Sequence, residues 1–180
     1  MRIINAPLKI DFGKVSKEFE AQCRAEFDRL SENNDDPISA WIRNIRSRGR
    51  VVDENEPILQ LLIELHRKID ALSAQINNES KNYLALESSA VLEAIGHNVL
   101  IFGANSLMYL PNGGLEVGAK YYGRLDIAVF PPRKIPLFFI AQDSKNAEIC
   151  LMHGRDEVDF DNYIAARERS IIRESRAEKR

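Results

Sequence analysis

The most regular hydrophobic pattern in the chain predicts a long helix over residues 57–78. Apolar residues recur there at alternating steps of four and three, which places them at the a and d positions of a heptad repeat. This seam consists of Ile58, Leu62, Leu65, Ile69, Leu72 and Ile76. A strict heptad repeat forms a narrow stripe that packs on a partner helix. A core helix of one compact domain is the other interpretation, because Leu59, Leu61 and Ile63 widen the stripe at its start.

Two shorter amphipathic patterns precede the heptad helix. In the first, the apolar residues Val15, Phe19, Cys23, Phe27 and Leu30 recur at helical spacing. Ser16 is placed to cap this helix, and the polar residues 33–36 end it. A second short helix begins at Asp36-Pro37, where an N-cap precedes a proline at the first helical position. We therefore assign residues 1–55 to a helical arm, which must pack on itself, on the heptad helix or on a partner.

Beyond residue 80 the pattern changes to short alternating segments separated by turn residues. The predicted strands are 83–86, 90–95, 99–102, 107–110, 120–129, 137–142 and 147–151. Turn residues at 111–114 and 143–146 separate some of them. Strands at this spacing predict an antiparallel barrel or sandwich of about six strands. Residues 88–95 fit a strand or a short helical turn.

Segment 120–129 alternates between an apolar and a polar face. Tyr121, Leu125, Ile127 and Val129 share one face, while Lys120, Tyr122, Arg124 and Asp126 share the other. The following residues, 130–136, include three prolines. Since proline cannot donate a hydrogen bond to a strand ladder, we expect an extended surface loop there. That loop is either a recognition element or a plain connection.

A last amphipathic pattern predicts a C-terminal helix. Phe160, Ile164, Arg167, Ile171 and Ser175 step along it. An aspartate at 159 or 161 is a plausible cap, and arginines crowd its second half, which suits the helix dipole. The chain is thus an α+β protein, with a helical arm (1–55), a heptad helix (56–80), a six-stranded barrel (81–157) and a C-terminal helix (158–180).

Composition and charge narrow the class of protein. An apolar share of 44% suffices for a core, and a net charge of −2 argues against non-specific nucleic-acid binding. Cys23 and Cys150 form no CxxC motif, so we expect free, buried thiols in a reducing compartment. No apolar run approaches the roughly 18 residues of a membrane span, and the N-terminus lacks a signal-peptide pattern. We expect a cytoplasmic protein without membrane insertion.

Catalytic and metal-binding motifs are absent from the sequence. It contains no phosphate-binding loop, no zinc-protease motif and no nucleophile elbow. His66, His97 and His153 have no metal-ligand spacing. We predict a protein that is not an enzyme and holds no cofactor and no metal. The densest basic cluster is Arg43, Arg46, Arg48 and Arg50. It is either a phosphate site or a solvated helix end neutralised by the acids that follow.

The order of elements resembles the PilZ-like domains of bacterial second-messenger signalling. The similarity is carried by a strand–turn–strand at 99–109, by 115–118 with its glycine before the next strand, and by the closing helix at 159–176. A heptad helix ahead of the barrel is similar to an atypical branch that assembles into oligomers. The resemblance implies a scaffold that self-associates as a dimer or tetramer and binds a protein partner. It implies a place in bacterial motility, in the flagellum or the type IV pilus.

The cyclic di-GMP motifs of typical PilZ-like members are degenerate in this chain. Ile101, Gly103 and Ser106 stand where those members carry Asp or Asn, Ser and Gly. Their RxxxR motif is matched at 46–50, but ahead of the heptad helix. The main hypothesis is therefore a ligand-free, oligomeric scaffold, and the alternative is a cyclic-dinucleotide sensor with non-standard arginines. The ligand-binding residues of that alternative are Arg46, Arg50, Lys120 and Arg124.

Overall fold

The structure is a computed structural model that describes residues 3–32, 83–110, 113–127 and 133–177, together with helical positions 61, 65, 68 and 69. The chain forms two compact units. The first joins Met1–Asn34 to Leu84–Arg180, and the second is Asp35–Tyr83. The second unit is therefore an insertion in the sequence of the first.

Strands dominate the described part of the first unit. Its elements in chain order are β1 (Ile4–Asn5), β2 (Lys9–Lys14), α1 (Glu20–Glu32), β3 (Ser88–Gly96), β4 (Val99–Phe102), the short 3-10 helix η1 (Ala104–Ser106), β5 (Lys120–Ile127), β6 (Arg133–Ala141), β7 (Asn146–Met152) and α2 (Gly154–Ala177). Among the helices in these residues, none combines the length and the apolar character that crossing a membrane requires.

Six of the strands close into an antiparallel barrel. Each strand pairs with the next in the order β2, β5, β6, β7, β4, β3, and β3 pairs again with β2. The short strand β1 adds to the far end of β3. The predicted six-stranded antiparallel barrel followed by a C-terminal helix is confirmed. Residues 88–95, which fitted a strand or a helical turn, belong to strand β3.

Aromatic rings fill the inside of the barrel. The ring of Phe12 on β2 lies 5.4 Å from that of Phe102 on β4 and 6.0 Å from that of Tyr121 on β5. Phe139 on β6 stacks on Tyr121 at 5.3 Å. Phe160 of α2 is buried in the same cluster, so the C-terminal helix closes the hydrophobic core. Its predicted apolar face is confirmed, although the helix begins at Gly154, ahead of the expected start at 158.

The first strand of the barrel comes from the segment assigned to the helical arm, 1–55. Ile10 and Phe12 of β2 point inward and are fully buried, while Lys9 is exposed. This six-residue alternation is too short to stand out, and its partner β3 begins more than 70 residues later. Only α1 is helical among the described residues of that arm. The Ser16 cap is confirmed, since its Oγ accepts a hydrogen bond from the Phe19 N–H at 3.2 Å.

Two predicted strands are wrong. Residues 83–86 join no ladder in the described part of the chain, and 107–110 lie in a turn after η1. The apolar spacing at 107–110 has another cause, because Leu107 is fully buried in the barrel core from within that turn. The predicted number of six barrel strands is confirmed. One of the six, however, is β2, which lies in the segment 1–55 that was predicted to be a helical arm.

The expected surface loop at 130–136 is wrong for residues 133–136, which belong to a strand, and residues 130–132 lie outside the described residues. Strand β6 begins at Arg133, and Pro136 pairs with Arg124 of β5. The ladder between β6 and β7 starts only at Leu137. Residues 133–136 therefore have a strand neighbour on one side, and the missing N–H of proline is tolerated there.

Candidate functional site

Helix α1 covers the outward face of strands β5 and β6. The alternation predicted for β5 is confirmed, with Tyr121 and Leu125 in the barrel core and Tyr122 and Arg124 on the opposite face. The middle of that second face is not solvated, because Tyr122 and Arg124 are buried beneath α1. We call this set of contacts between α1 and the outside of the barrel the α1–barrel contact.

An apolar cluster forms the centre of the α1–barrel contact. Cys23 and Phe27 of α1 pack on Tyr122 and Phe138 of the barrel. The Phe27 and Phe138 rings are 5.6 Å apart, and the Tyr122 and Phe138 rings are 5.0 Å apart. Burying four such side chains contributes several kcal/mol, of the order of 1.5–3 for each large one. The helix is therefore an integral layer of the first unit.

A buried ion pair lies beside this cluster. Arg124 Nη1 donates to both carboxylate oxygens of Glu26, at 3.0 and 3.1 Å, and the two residues are 5% and 3% exposed. The same nitrogen donates to the backbone oxygen of Leu84 at 3.0 Å. The Leu84 N–H in turn donates to Glu26 at 2.8 Å. The network joins α1, β5 and the segment that leads back into the barrel.

Sequence reasoning missed Glu26. It lies on the apolar face of α1, between Cys23 and Leu30 at helical spacing, and a carboxylate there needs a cation. The sequence therefore indicates that the Glu26 carboxylate needs a cation. It does not indicate that the cation is Arg124, because that residue lies 98 residues away in sequence.

A second ion pair flanks the α1–barrel contact at its more solvated edge. Lys120 Nζ lies 2.9 Å from a carboxylate oxygen of Glu20 and 5.0 Å from the centre of the Phe138 ring. The guanidinium of Arg24 lies 5.6 Å from the same ring. The hydrogen bond from Lys120 and its positive charge hold the pKa of Glu20 below its ordinary value. Lys120 and Arg124, two of the residues assigned to a nucleotide sensor, thus bind acids of α1.

Burial also suppresses acid–base chemistry at this contact. Burial and the neighbouring Glu26 carboxylate raise the pKa of Tyr122 well above its ordinary value. Burial, with the nearby acids of α1, raises the pKa of Cys23 to about 11. Both groups are neutral at pH 7, so neither acts as a nucleophile or a base there. The arrangement is suited to holding a helix on a barrel.

The two cysteines differ in environment. Neither forms a disulfide, and Cys23 is buried as expected. Cys150 on β7 is exposed, so the prediction that it is buried is wrong. It stands on the outward side of a strand whose neighbour Ile149 packs on the core. The register between β6 and β7 shifts at this point, with Ile149 opposite Phe139 and Leu151 opposite Phe138, so Cys150 is the extra residue of a β-bulge.

The histidines lie apart from these contacts. His97, in the turn between β3 and β4, places Nδ1 2.6 Å from a carboxylate oxygen of Asp161 on α2. His153 is exposed just ahead of α2. Within the described ranges, no three histidine, cysteine or acidic side chains converge as a metal site would require. His66 lies outside those ranges.

A surface groove of about 630 Å³ opens beside the start of α1. Its lining comes from the end of β2, the first turn of α1 and the segment before β3, and consists of Lys14, Ser16, Glu18, Phe19, Gln22, Ala85 and Glu87. Lys14 forms an ion pair with Glu116, and Ser16 caps α1. These polar groups are engaged in local structure, and the lining contains no paired nucleophile and base.

Only two residues of the heptad seam are described, Leu65 and Ile69. Both are helical positions, and their side chains are 53% and 49% exposed. Leu61, one turn earlier, is 71% exposed. The other seam residues, Ile58, Leu62, Leu72 and Ile76, lie outside the described residues, as do Arg46 and Arg50.

No family model, curated protein or solved structure matches this chain. The class defined by the structure is therefore an architectural one, a closed six-stranded antiparallel barrel with a C-terminal helix, in which helix α1 and the insertion Asp35–Tyr83 follow the first barrel strand.

Proposed function

We propose that this protein is a non-enzymatic, self-associating scaffold, in which a heptad helix joins copies of the chain and a PilZ-like barrel contacts a protein partner. The observation that carries the proposal is the exposure of Leu65 and Ile69 on the second unit. They stand one turn apart on one helix face, and about half of each side chain is open to water. An apolar seam open to solvent in a single chain is what a second copy covers in a coiled coil.

The α1–barrel contact supports the scaffold role. The chain leaves the first unit just after α1 and re-enters it at Leu84. Glu26 of α1 and Leu84 are held together by the 2.8 Å hydrogen bond and by their shared partner Arg124. Helix α1, which precedes the insertion in the sequence, and Leu84, which follows it, are therefore held to each other on the barrel. Such an anchor suits a helix that must hold a barrel in an assembly.

The nucleotide-sensor alternative finds less support. A phosphate ligand would have to displace Glu26 from Arg124 and Glu20 from Lys120. The first of these pairs is buried, and breaking it would leave an uncompensated charge in the interior. A role in bacterial motility, at the flagellum or type IV pilus, is part of the proposal on the strength of the PilZ-like resemblance.

Gel filtration coupled to light scattering tests the self-association. We expect the intact chain to have the mass of a dimer or tetramer and the Leu65→Asp/Ile69→Asp variant to be monomeric, since each charge would enter an apolar seam. A matched control is Met108→Asp/Val117→Asp, which changes two exposed apolar residues of the first unit. A monomeric wild type, or a seam variant that stays assembled, rejects the proposal.

Titration calorimetry with cyclic di-GMP addresses the alternative. Micromolar binding that is lost on Arg46→Ala/Arg50→Ala would favour the sensor over the scaffold. The absence of heat with an assembled wild type would leave the scaffold as the function.

A further inference from the structure

Helix α2 has one face committed to the barrel. Phe160 is buried in the core, and Tyr163, Ile164 and Ile171 pack against it. Arg167 stands on the same side, where its Nε donates to the backbone oxygen of Asn5 at 3.3 Å. The face opposite this one is thereby turned to solvent.

Three arginines lie on that solvent face. Arg169 follows Phe160 by about two and a half helical turns, which puts it on the far side of the helix. Arg173 and Arg176 continue the row at the i+4 and i+7 positions, and all three side chains are exposed. Throughout the described part of the chain, no hydrogen bond or ion pair joins any of the three to another side chain. We call these residues the arginine row.

Asp161 and Glu174 of α2 are directed away from the arginine row. Asp161 pairs with His97 at 2.6 Å. Glu174 accepts a hydrogen bond from Ser170 at 3.0 Å and lies 3.6 Å from Arg167. No acidic residue stands three or four positions from any member of the arginine row. Opposite charges at i and i+4 stabilise a solvated helix and like charges destabilise it, and Arg169 and Arg173 are a like pair at that spacing.

We propose that the arginine row is a docking surface for an acidic segment of a protein partner. Guanidinium groups bind carboxylates through paired N–H donors, which gives both attraction and geometry. The row spans about 10 Å along the helix, which matches acids at i, i+4 and i+7 of an opposing helix. Ile172, on the same side and partly exposed, adds an apolar contact between the cations.

Two other anionic partners fit less well. A helix that lies on a membrane presents a broad apolar face beside its cations, whereas the described second half of α2 exposes one large apolar side chain, Ile172. Nucleic acid is bound by domains with a strong positive charge, and this chain carries a net charge of −2. A local row of cations on a mildly acidic protein fits an acidic peptide best.

The inference rests on the proposed scaffold function and specifies the chemistry of its partner. It is tested on the full-length chain by fluorescence anisotropy. The probe is a labelled alanine-based helical peptide with glutamates at i, i+4 and i+7, and its control carries glutamines instead. We expect the glutamate peptide to bind roughly tenfold more tightly at low ionic strength, and added salt to remove the difference.

The decisive variant is Arg169→Gln/Arg173→Gln/Arg176→Gln, which we expect to lose the preference for the glutamate peptide. The control is Lys9→Gln/Lys17→Gln/Lys145→Gln, which removes the same charge from exposed positions elsewhere in the first unit and should keep the preference. Equal binding of both peptides, or equal loss in both variants, overturns the inference. Tighter arginine-dependent binding to phosphatidylglycerol vesicles or to a DNA duplex overturns it in favour of that ligand.

Light scattering on the arginine variant separates this inference from the scaffold function. We expect its assembly to equal that of the wild type, because the arginine row lies outside the heptad seam. Failure of peptide binding with intact assembly rejects the docking surface alone, whereas a monomeric wild type rejects the scaffold.

Discussion

Arg124 and Glu26 form an ion pair between the outside of the barrel and helix α1, in which Arg124 Nη1 donates to both carboxylate oxygens at 3.0 and 3.1 Å. Both side chains are almost fully buried, so each charge is compensated by the other and not by water. The pair also satisfies the N–H and C=O of Leu84, at the point where the chain returns from the insertion Asp35–Tyr83. One contact thus fixes the helix, the strand and the returning chain.

Removing one partner of this pair should destabilise the first unit strongly. For Arg124→Met we expect a loss of about 3–5 kcal/mol in the free energy of unfolding, because Glu26 stays buried without its cation. Urea denaturation followed by circular dichroism measures the loss. The variant Lys14→Met, which breaks the exposed pair with Glu116, should change stability far less.

A double-mutant cycle separates the pair from the packing around it. We expect Glu26→Leu/Arg124→Met to be more stable than the sum of the single losses implies, since no charge remains uncompensated. The double variant should still be less stable than the wild type, because the Leu84 N–H and C=O lose both of their hydrogen-bond partners. Additive single losses would show that the two charges do not depend on each other.

The contrast between strands β5 and β2 shows what the sequence could predict. Strand β5 alternates over eight residues, so its two faces were assigned correctly from local pattern alone. Strand β2 has six residues, and its barrel partners β3 and β5 follow the insertion Asp35–Tyr83 in the sequence. A short strand is stabilised by ladders with distant segments, and those ladders leave no local periodicity.

The candidate site was less predictable than the fold for a related reason. Lys120 and Arg124 were correctly assigned to one outward face, and the pattern then suggested an anion for them. The anions are Glu20 and Glu26 of the same chain, about 100 residues earlier. Which charges meet is decided by how α1 lies on the barrel, and that is a tertiary property.

Acid should weaken the fold through Asp11. Burial raises the pKa of this carboxyl, but hydrogen bonds from Lys134 and Ser89 and the positive charge of Lys134 outweigh it, so the pKa lies below its ordinary value. A lowered folded-state pKa contributes stability above the unfolded-state pKa, which is lost as pH falls through the folded value. We expect the free energy of unfolding to decrease from about pH 5 downward, with a smaller slope in Asp11→Asn.

Replacing Lys134 tests whether this lysine lowers the pKa of Asp11. It lies 3.1 Å from Asp11 and 2.9 Å from Asp126. In Lys134→Met the Asp11 carboxyl loses its main cation, so the acid-dependent loss of stability should shrink as it does in Asp11→Asn. The double variant should show no further reduction. An unchanged slope in both single variants would contradict the role of this pair.

Gly114 should not accept a side chain. A Cβ atom there would lie 2.8 Å from the backbone oxygen of Ser144, in the turn between β6 and β7, and the backbone on one side would have to move. We expect Gly114→Ala to cost about 1–3 kcal/mol of stability. The control is Gly154→Ala at the start of α2, where nothing lies within 4 Å and no loss is expected. Equal melting temperatures for the two variants would contradict the close approach.

The two cysteines should react with a thiol reagent at very different rates. Cys23 is fully buried in the α1–barrel contact, and burial with the nearby acids raises its pKa to about 11. Cys150 is exposed on β7, and although partial burial also raises the pKa of this thiol, reagent can reach it.

With a disulfide reagent at pH 8, we expect one thiol to react in the folded protein and both after unfolding in urea. Cys150→Ser should remove the fast reaction of the folded protein and leave only the slow reaction of Cys23, whereas Cys23→Ser should leave the fast reaction unchanged. Because Cys23 becomes accessible only when α1 leaves the barrel, its slow reaction in the Cys150→Ser background reports the opening of that contact, and Arg124→Met should accelerate it. A rate unaffected by Arg124→Met would mean that the ion pair does not hold α1 in place.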